Sequence, residues 1–571
     1  MSISGFVSDR RARRTVTLPI APRLNSRVSI GSVALVIAVL TALAVAAPVI
    51  SIAVTALQPA PDVWPHLIAY VLPQALADTT LLLLGVGTLA LLIGAGTAWL
   101  ISSYDFPGRA WLVWLMPLPL AIPTYISAYV YVDLFEPLGL VHRSLAMLMP
   151  LQEAVQLLPN LRSLPGAVVV IGLVLYPYVY LSARTMFQSQ SADLAEAARV
   201  LGAGRWTIAR RVLLPTARPA LAVGVALVSL ETLNDIGASE YLGVRTLTVA
   251  IFNTWLNRGS LAGAAQLALV ALGLVALLIA IERFGRRKVS VEFSSENPRL
   301  RLRKPLAGAA GWLAATACGL PALLGFGLPA AYLIGESLRR SAFAQIDPSL
   351  WRDAWHSVSL AATATALALA LGLIVILARR WRAGPLAASA ASAAQMGYAL
   401  PGLVLALGLL APLLAIDGAL NALAASLGVV SPGLLLIGSG GAVVAAYVIR
   451  FLAVPTGLLD AGFARIPRDY DDCARAAGAS RLTELARIDL PLLRPAMIGA
   501  AIVVFVDCLK ELPATLLLRP LNVETLSTSI YQYASRGSFE EGAPAALLIV
   551  AASILPVIWL TRFADAQQGP A

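Results

Sequence analysis

An all-α integral membrane protein of about twelve transmembrane helices, in two like-oriented halves of six spans each, is the fold class that three features of the sequence predict. The 571 residues are 58% hydrophobic and 13% charged, where a soluble domain carries about 25% charged residues. Apolar runs of bilayer-crossing length follow one another along the whole chain. A polar segment recurs once in each half, where shared membrane hydrophobicity cannot create the likeness.

The first half holds runs near 29–57, 75–101, 111–132, 165–185, 216–237 and 263–282. The second holds runs near 307–336, 357–378, 386–413, 434–456, 492–513 and 543–561, and Pro and Gly interrupt the third and ninth of the twelve. The runs are continuously apolar and do not alternate, which excludes a β-barrel. Residues 1–28 form a basic segment with Arg10, Arg11, Arg13, Arg14, Arg23 and Arg27 and no signal-cleavage pattern. Residues 29–282 make a first membrane domain, 283–305 a polar basic linker, 306–562 a second membrane domain and 563–571 a tail. With both termini cytoplasmic, most of the 42 Lys and Arg fall on the inner side. The net charge of +11 therefore reads as membrane orientation, and no nucleic acid is expected.

Residues 196–220 and 472–496 align without gaps at an offset of 276, with twelve identities in 25. In each copy an Ala-rich stretch predicts a short helix, and Gly202 or Gly478 predicts its end. Leu214-Pro215 and Leu490-Pro491 predict entry into the next span. Two helix-turn-helix platforms on one face suit a partner with two-fold symmetry.

The pattern E-A-A, three residues, G, nine residues, an aliphatic, one residue, L-P resembles the EAA loop of ABC importer permeases. The first copy matches at Glu196, Ala197, Ala198, Gly202, Val212, Leu214 and Pro215; the second matches at Ala474, Gly478, Ile488, Leu490 and Pro491 and departs at Asp472 and Cys473. Glu to Asp keeps the charge, and Cys for Ala keeps a small side chain. The resemblance implies a type I permease fold and a bacterial inner-membrane location. It also implies docking of these loops on two copies of an ATPase subunit, and delivery of substrate by a periplasmic binding protein.

No G-x-x-x-x-G-K-[ST] occurs. The chain is expected to be no enzyme and to bind no cofactor, with ATP and Mg on the partner subunits. Gly94-Ala95-Gly96 and Gly438-Ser439-Gly440-Gly441 read as helix-packing surfaces. Three cysteines and three histidines are scattered without ligand spacing, so no metal site is assigned.

At the same offset Glu231 aligns with Asp507 and Asp235 with Glu511. Spacing of i, i+4 would put each pair on one helical face, and charges this deep in a span face a bundle interior or water. With Glu240 just beyond, these carboxylates form a candidate cation pathway. Lys510 could neutralise Asp507; its counterpart, Asn234, could not. The alternative role for these groups is structural ion pairing. Residues 231–255 and 510–534 look like those of fused ferric-iron importer permeases, so ferric iron is the expected substrate. Alternatives are thiamine or another small solute of the same class, or a secondary transporter driven by an ion gradient.

Overall fold

The computed structural model describes residues 30–566 apart from 138, 151–152, 154–155, 157, 190–197, 199, 205–206, 208–209, 212–213, 287–303, 344–346, 383 and 468. The basic N-terminal segment, most of the linker and the last five residues of the tail lie outside the described residues.

Among the described residues, ten helices are long and apolar enough to cross a bilayer, and two bent pairs raise the number to twelve. In the first half, α1 (Ile30–Ala56), α2 (Leu72–Ser103), α5 (Leu164–Ser189), α6 (Leu214–Asn234) and α9 (Leu261–Arg286) are long. Shorter pieces intervene: α3 (Arg109–Leu115), α4 (Thr124–Phe135), α7 (Gly237–Tyr241) and α8 (Leu247–Leu256). The predicted third span is a pair bent by 93°. Pro117, Pro119 and Pro123 lie between α3 and α4, and each removes a backbone donor from the helical ladder.

The second half starts with α10 (Gly308–Ala322), a π turn and α11 (Leu328–Phe343). Next come α12 (Pro348–Trp381), α13 (Pro385–Ala394) and α14 (Gly402–Ser426). Asp347 caps α12, its carboxylate accepting the Ser349 amide at 2.8 Å, with Pro348 in the first turn. The predicted ninth span therefore begins later than expected, at Gly402, after a helix break ending in Pro401. The tenth span is α15 (Gly441–Phe451) and α16 (Ala453–Phe463), bent by 41°. The short α17 (Asp469–Ala476) leads to α18 (Leu490–Lys510), α19 (Pro513–Leu518), α20 (Leu526–Ser535) and α21 (Phe539–Ala566).

The two halves exchange their first spans. Helix α1 packs on α12, α13 and α14 of the second half, and Ala34, Ala38 and Val45 sit in one core with Ala364, Ala446 and Val504. In return α10 and α11 lie against α2, α3 and α4. Tyr131 donates to the Leu324 carbonyl at 2.6 Å, and Tyr332 donates to the Asp133 carboxylate. Backbones meet closely at Gly408, where an added Cβ would lie 2.3 Å from the Pro48 carbonyl oxygen.

Gly94 is a packing glycine as expected: a Cβ there would lie 2.7 Å from the Tyr176 carbonyl oxygen on α5. The second glycine-rich stretch differs. It forms the turn into α15, with Gly440 at φ +82°, a conformation that favours glycine.

Candidate functional site

Two constructions stand out, a pair of matched loops and a charged cavity between the halves. In the second loop α17 carries Asp469, Asp471 and Asp472 in its first turn and Arg475 in its last, signs that suit the helix dipole. Asp472 pairs with Arg475, and both are exposed. Ala474 is buried, whereas Cys473 is exposed. Gly478 adopts φ +78°, and the Ala479 amide donates to the Ala474 carbonyl at 3.0 Å. That is the helix-ending bond of a Schellman motif.

The first loop repeats it. Gly202 adopts φ +81°, and the Ala203 amide donates to the Ala198 carbonyl at 2.9 Å. Glu196, Ala197 and Val212 lie outside the described residues. Leu214-Pro215 and Leu490-Pro491 open α6 and α18 as the spacing predicts. The second loop is also tied to the end of α12: Arg380 meets Asp471 at 2.7 Å, and the Arg481 guanidinium lies 5.9 Å from the Trp381 ring centre.

The charged cavity has a volume of about 100 Å³. Glu231, Asn234 and Asp235 line it from the first half, and Tyr398, Arg450, Asp507, Lys510 and Glu511 from the second. All four aligned carboxylates thus line one cavity. The geometry corrects one detail, because α6 ends at Asn234 and α18 at Lys510. Asp235 and Glu511 therefore do not continue the helical faces of Glu231 and Asp507. Each turns to the next short helix instead: Asp235 Oδ1 accepts the Ala238 amide at 2.9 Å, and Glu511 Oε1 accepts the Ala514 amide at 3.2 Å. A carboxylate aimed at the free amides of a starting helix stabilises the start of that helix.

Lys510 Nζ lies 2.8 Å from Asp507 Oδ1, the pairing its spacing suggested. The Tyr398 hydroxyl donates to Glu231 Oε1 at 2.9 Å. Arg450 Nε lies 3.3 Å from Glu511 Oε2, and its Nη1 donates to the Leu400 carbonyl at 3.1 Å. Sequence reasoning missed Arg450, although a lone arginine in the apolar run 441–454 is the signal that marks intramembrane charges.

Glu240 lies apart from this cluster. Its Oε2 accepts from the Tyr531 hydroxyl at 2.7 Å, beside a second cavity lined also by Arg162, Tyr241 and Arg536. Gly237 of α7 borders both cavities. Among the described residues, no group of three or more His, Cys, Asp or Glu side chains converges as a metal ion would require.

Residues 87–290 and 368–568 each match the family described as binding-protein-dependent transport system inner membrane component. The chain belongs to this family. It is an ABC permease subunit of an import system, with the type I permease fold present twice in one polypeptide. The family places it in the inner membrane and implies separate ATPase and substrate-binding partners.

This permease is 25% identical over 497 residues to the Fe(3+)-transport system permease protein FbpB 2 of Haemophilus influenzae, covering 86% of this chain and 90% of that one. It is 30% identical over 214 residues to the molybdenum transport system permease protein ModB of Escherichia coli, covering 35% of this chain and 90% of the relative. The sulfate transport system permease protein CysW of Escherichia coli is 33% identical over 153 residues, covering 26% and 48%. Permease subunits of this kind lack their own ATPase, in keeping with the missing phosphate loop.

Proposed function

We propose that this permease carries ferric iron across the inner membrane, delivered by a periplasmic binding protein and driven by two copies of an ATPase subunit. The charge of the cavity carries this reading: four carboxylates face two cationic side chains. Carboxylate oxygens suit hard cations, and a wall with excess negative charge repels molybdate and sulfate. The iron-permease relative supports it, since that likeness extends over 86% of this chain, whereas the molybdenum and sulfate relatives cover 35% and 26% of it. ATP-energised membrane vesicles containing the complete transporter should accumulate radiolabelled iron(III), with no uptake of molybdate or sulfate. Oxyanion uptake without iron uptake overturns the reading.

In the same reading, residues 1–28, 283–305 and 563–571 lie on the cytoplasmic side, and 283–305 connects the domains 29–282 and 306–562. Glu196 and Asp472 face the ATPase there, beside Ala197, Ala198, Cys473 and Ala474. Gly202 and Gly478 set the turns of the loops, and Leu214-Pro215 and Leu490-Pro491 return the chain to the membrane. Reversing charge with E196K and D472K together should weaken ATPase co-isolation by roughly tenfold, because a charge-assisted contact becomes a repulsion. Insertion in the membrane should be unchanged. Full ATPase binding and uptake in that variant would remove the two acids from the docking surface. Neutralising the unpaired first-half carboxylates Glu231 and Asp235 should lower transport more than it lowers assembly.

A further inference from the structure

The cavity breaks the two-fold symmetry of the chain in a way that separates scaffold from cargo site. In the second half each carboxylate has its own cation. Asp507 is held by Lys510 and Glu511 by Arg450, and the latter two side chains are each only 6% exposed. The Arg450–Glu511 pair is built into the fold. A Cβ at Gly402 would lie 2.5 Å from Glu511 Oε1 and 2.9 Å from an Arg450 guanidinium nitrogen, so glycine there leaves room for the pair. Removing either partner strands a buried charge.

The first half has no cation in its wall. At the offset of 276, Arg450 corresponds to Val174 and Lys510 to Asn234, and both counterparts line the cavity. The first-half residues that line the cavity include no arginine or lysine. Glu231 and Asp235 are held by neutral donors, the Tyr398 hydroxyl and the Ala238 amide. Asn234 is 5% exposed and its Oδ1 has no hydrogen-bond partner. A buried carbonyl oxygen in that position carries a desolvation cost that a cation would offset.

We infer that Glu231, Asn234 and Asp235 form a one-sided contact site for a multivalent hard cation in transit, and that the second-half acids are structural. This deepens the cation-import reading and rests on it. Oxygen ligands from two carboxylates and an amide suit such an ion. The wall keeps two formal negative charges because its other two are neutralised within the second half.

The test compares E231Q/D235N with R450M/E511M in the complete transporter, reading iron(III) uptake. A second readout uses the purified full chain in lipid nanodiscs, with terbium(III) as a hard trivalent probe whose luminescence neighbouring tyrosines sensitise. E231Q/D235N should assemble normally and lose at least about tenfold in both uptake and terbium response, the scale of losing charged ligand contacts. R450M/E511M removes a neutral pair and should stay within about threefold of wild type in both. Equal loss in the two assembled variants, or full uptake in E231Q/D235N, overturns the one-sided site while leaving iron import standing. A terbium response lost only in E231Q/D235N, from a transporter that takes up no iron, supports the site and overturns iron as the substrate.

Discussion

Replacing Arg450 alone with methionine should destabilise the folded permease by about 3–5 kcal/mol, the cost of leaving one buried charge of a pair unmatched. The carboxylate left behind, Glu511, is 5% exposed and sits between the halves. Its Oε1 would keep the Ala514 amide, but its Oε2 would lose the guanidinium that now lies 3.3 Å away. The Leu400 carbonyl would lose a donor as well. Thermal unfolding of the detergent-solubilised chain measures the effect. Adding E511M should recover most of it, because two apolar side chains of similar size replace a buried pair at little cost. An R450M variant as stable as wild type would show that Glu511 is neutral in the folded state and would remove the ion pair.

Gly408→Ala should loosen the exchanged first span. The added methyl would meet the Pro48 carbonyl oxygen at 2.3 Å and Pro48 Cα at 2.8 Å, both backbone atoms that no side-chain rotation can clear. Overpacking of this kind costs about 1–3 kcal/mol. Gly418→Ala on the same helix is the control, since an added methyl there meets nothing within 4 Å. It should be neutral or stabilising, by up to about 1 kcal/mol from helix propensity. Disulfide trapping between cysteines placed in α1 and α14, together with thermal unfolding, separates the two. Equal behaviour of the two variants would count against the close seat of α1 on the second half.

The sequence displayed most of this architecture because a bilayer demands long apolar helices, and each is visible one by one. The repeat was legible down to single hydrogen bonds: the 276-residue offset that aligns Gly202 with Gly478 also carries Ala203–Ala198 onto Ala479–Ala474. The common cavity of Glu231, Asp235, Asp507 and Glu511 was legible too, since buried charge needs company. Three features were hidden. The exchange of α1 with α10 and α11 leaves no periodic mark, because lipid-facing and protein-facing sides of these helices are both apolar. The ends of α6 and α18 fall one residue before Asp235 and Glu511, and neither position carries a glycine or proline stop. Glu240 sits within a few residues of the cluster along the chain, yet the turn at the end of α6 directs it to a different cavity.

The swapped first span has a consequence for how the molecule is made. Helix α1 leaves the ribosome long before its seat, because the surfaces of α12, α13 and α14 are synthesised only after the rest of the first half and the linker. Until Ser426 has emerged, this helix can pack only on α9 of its own half, and the side it turns to the second half stays uncovered. Biogenesis of the second half therefore completes the folding of the first, and a chain cut within the linker would release a half that lacks its wrapping helix.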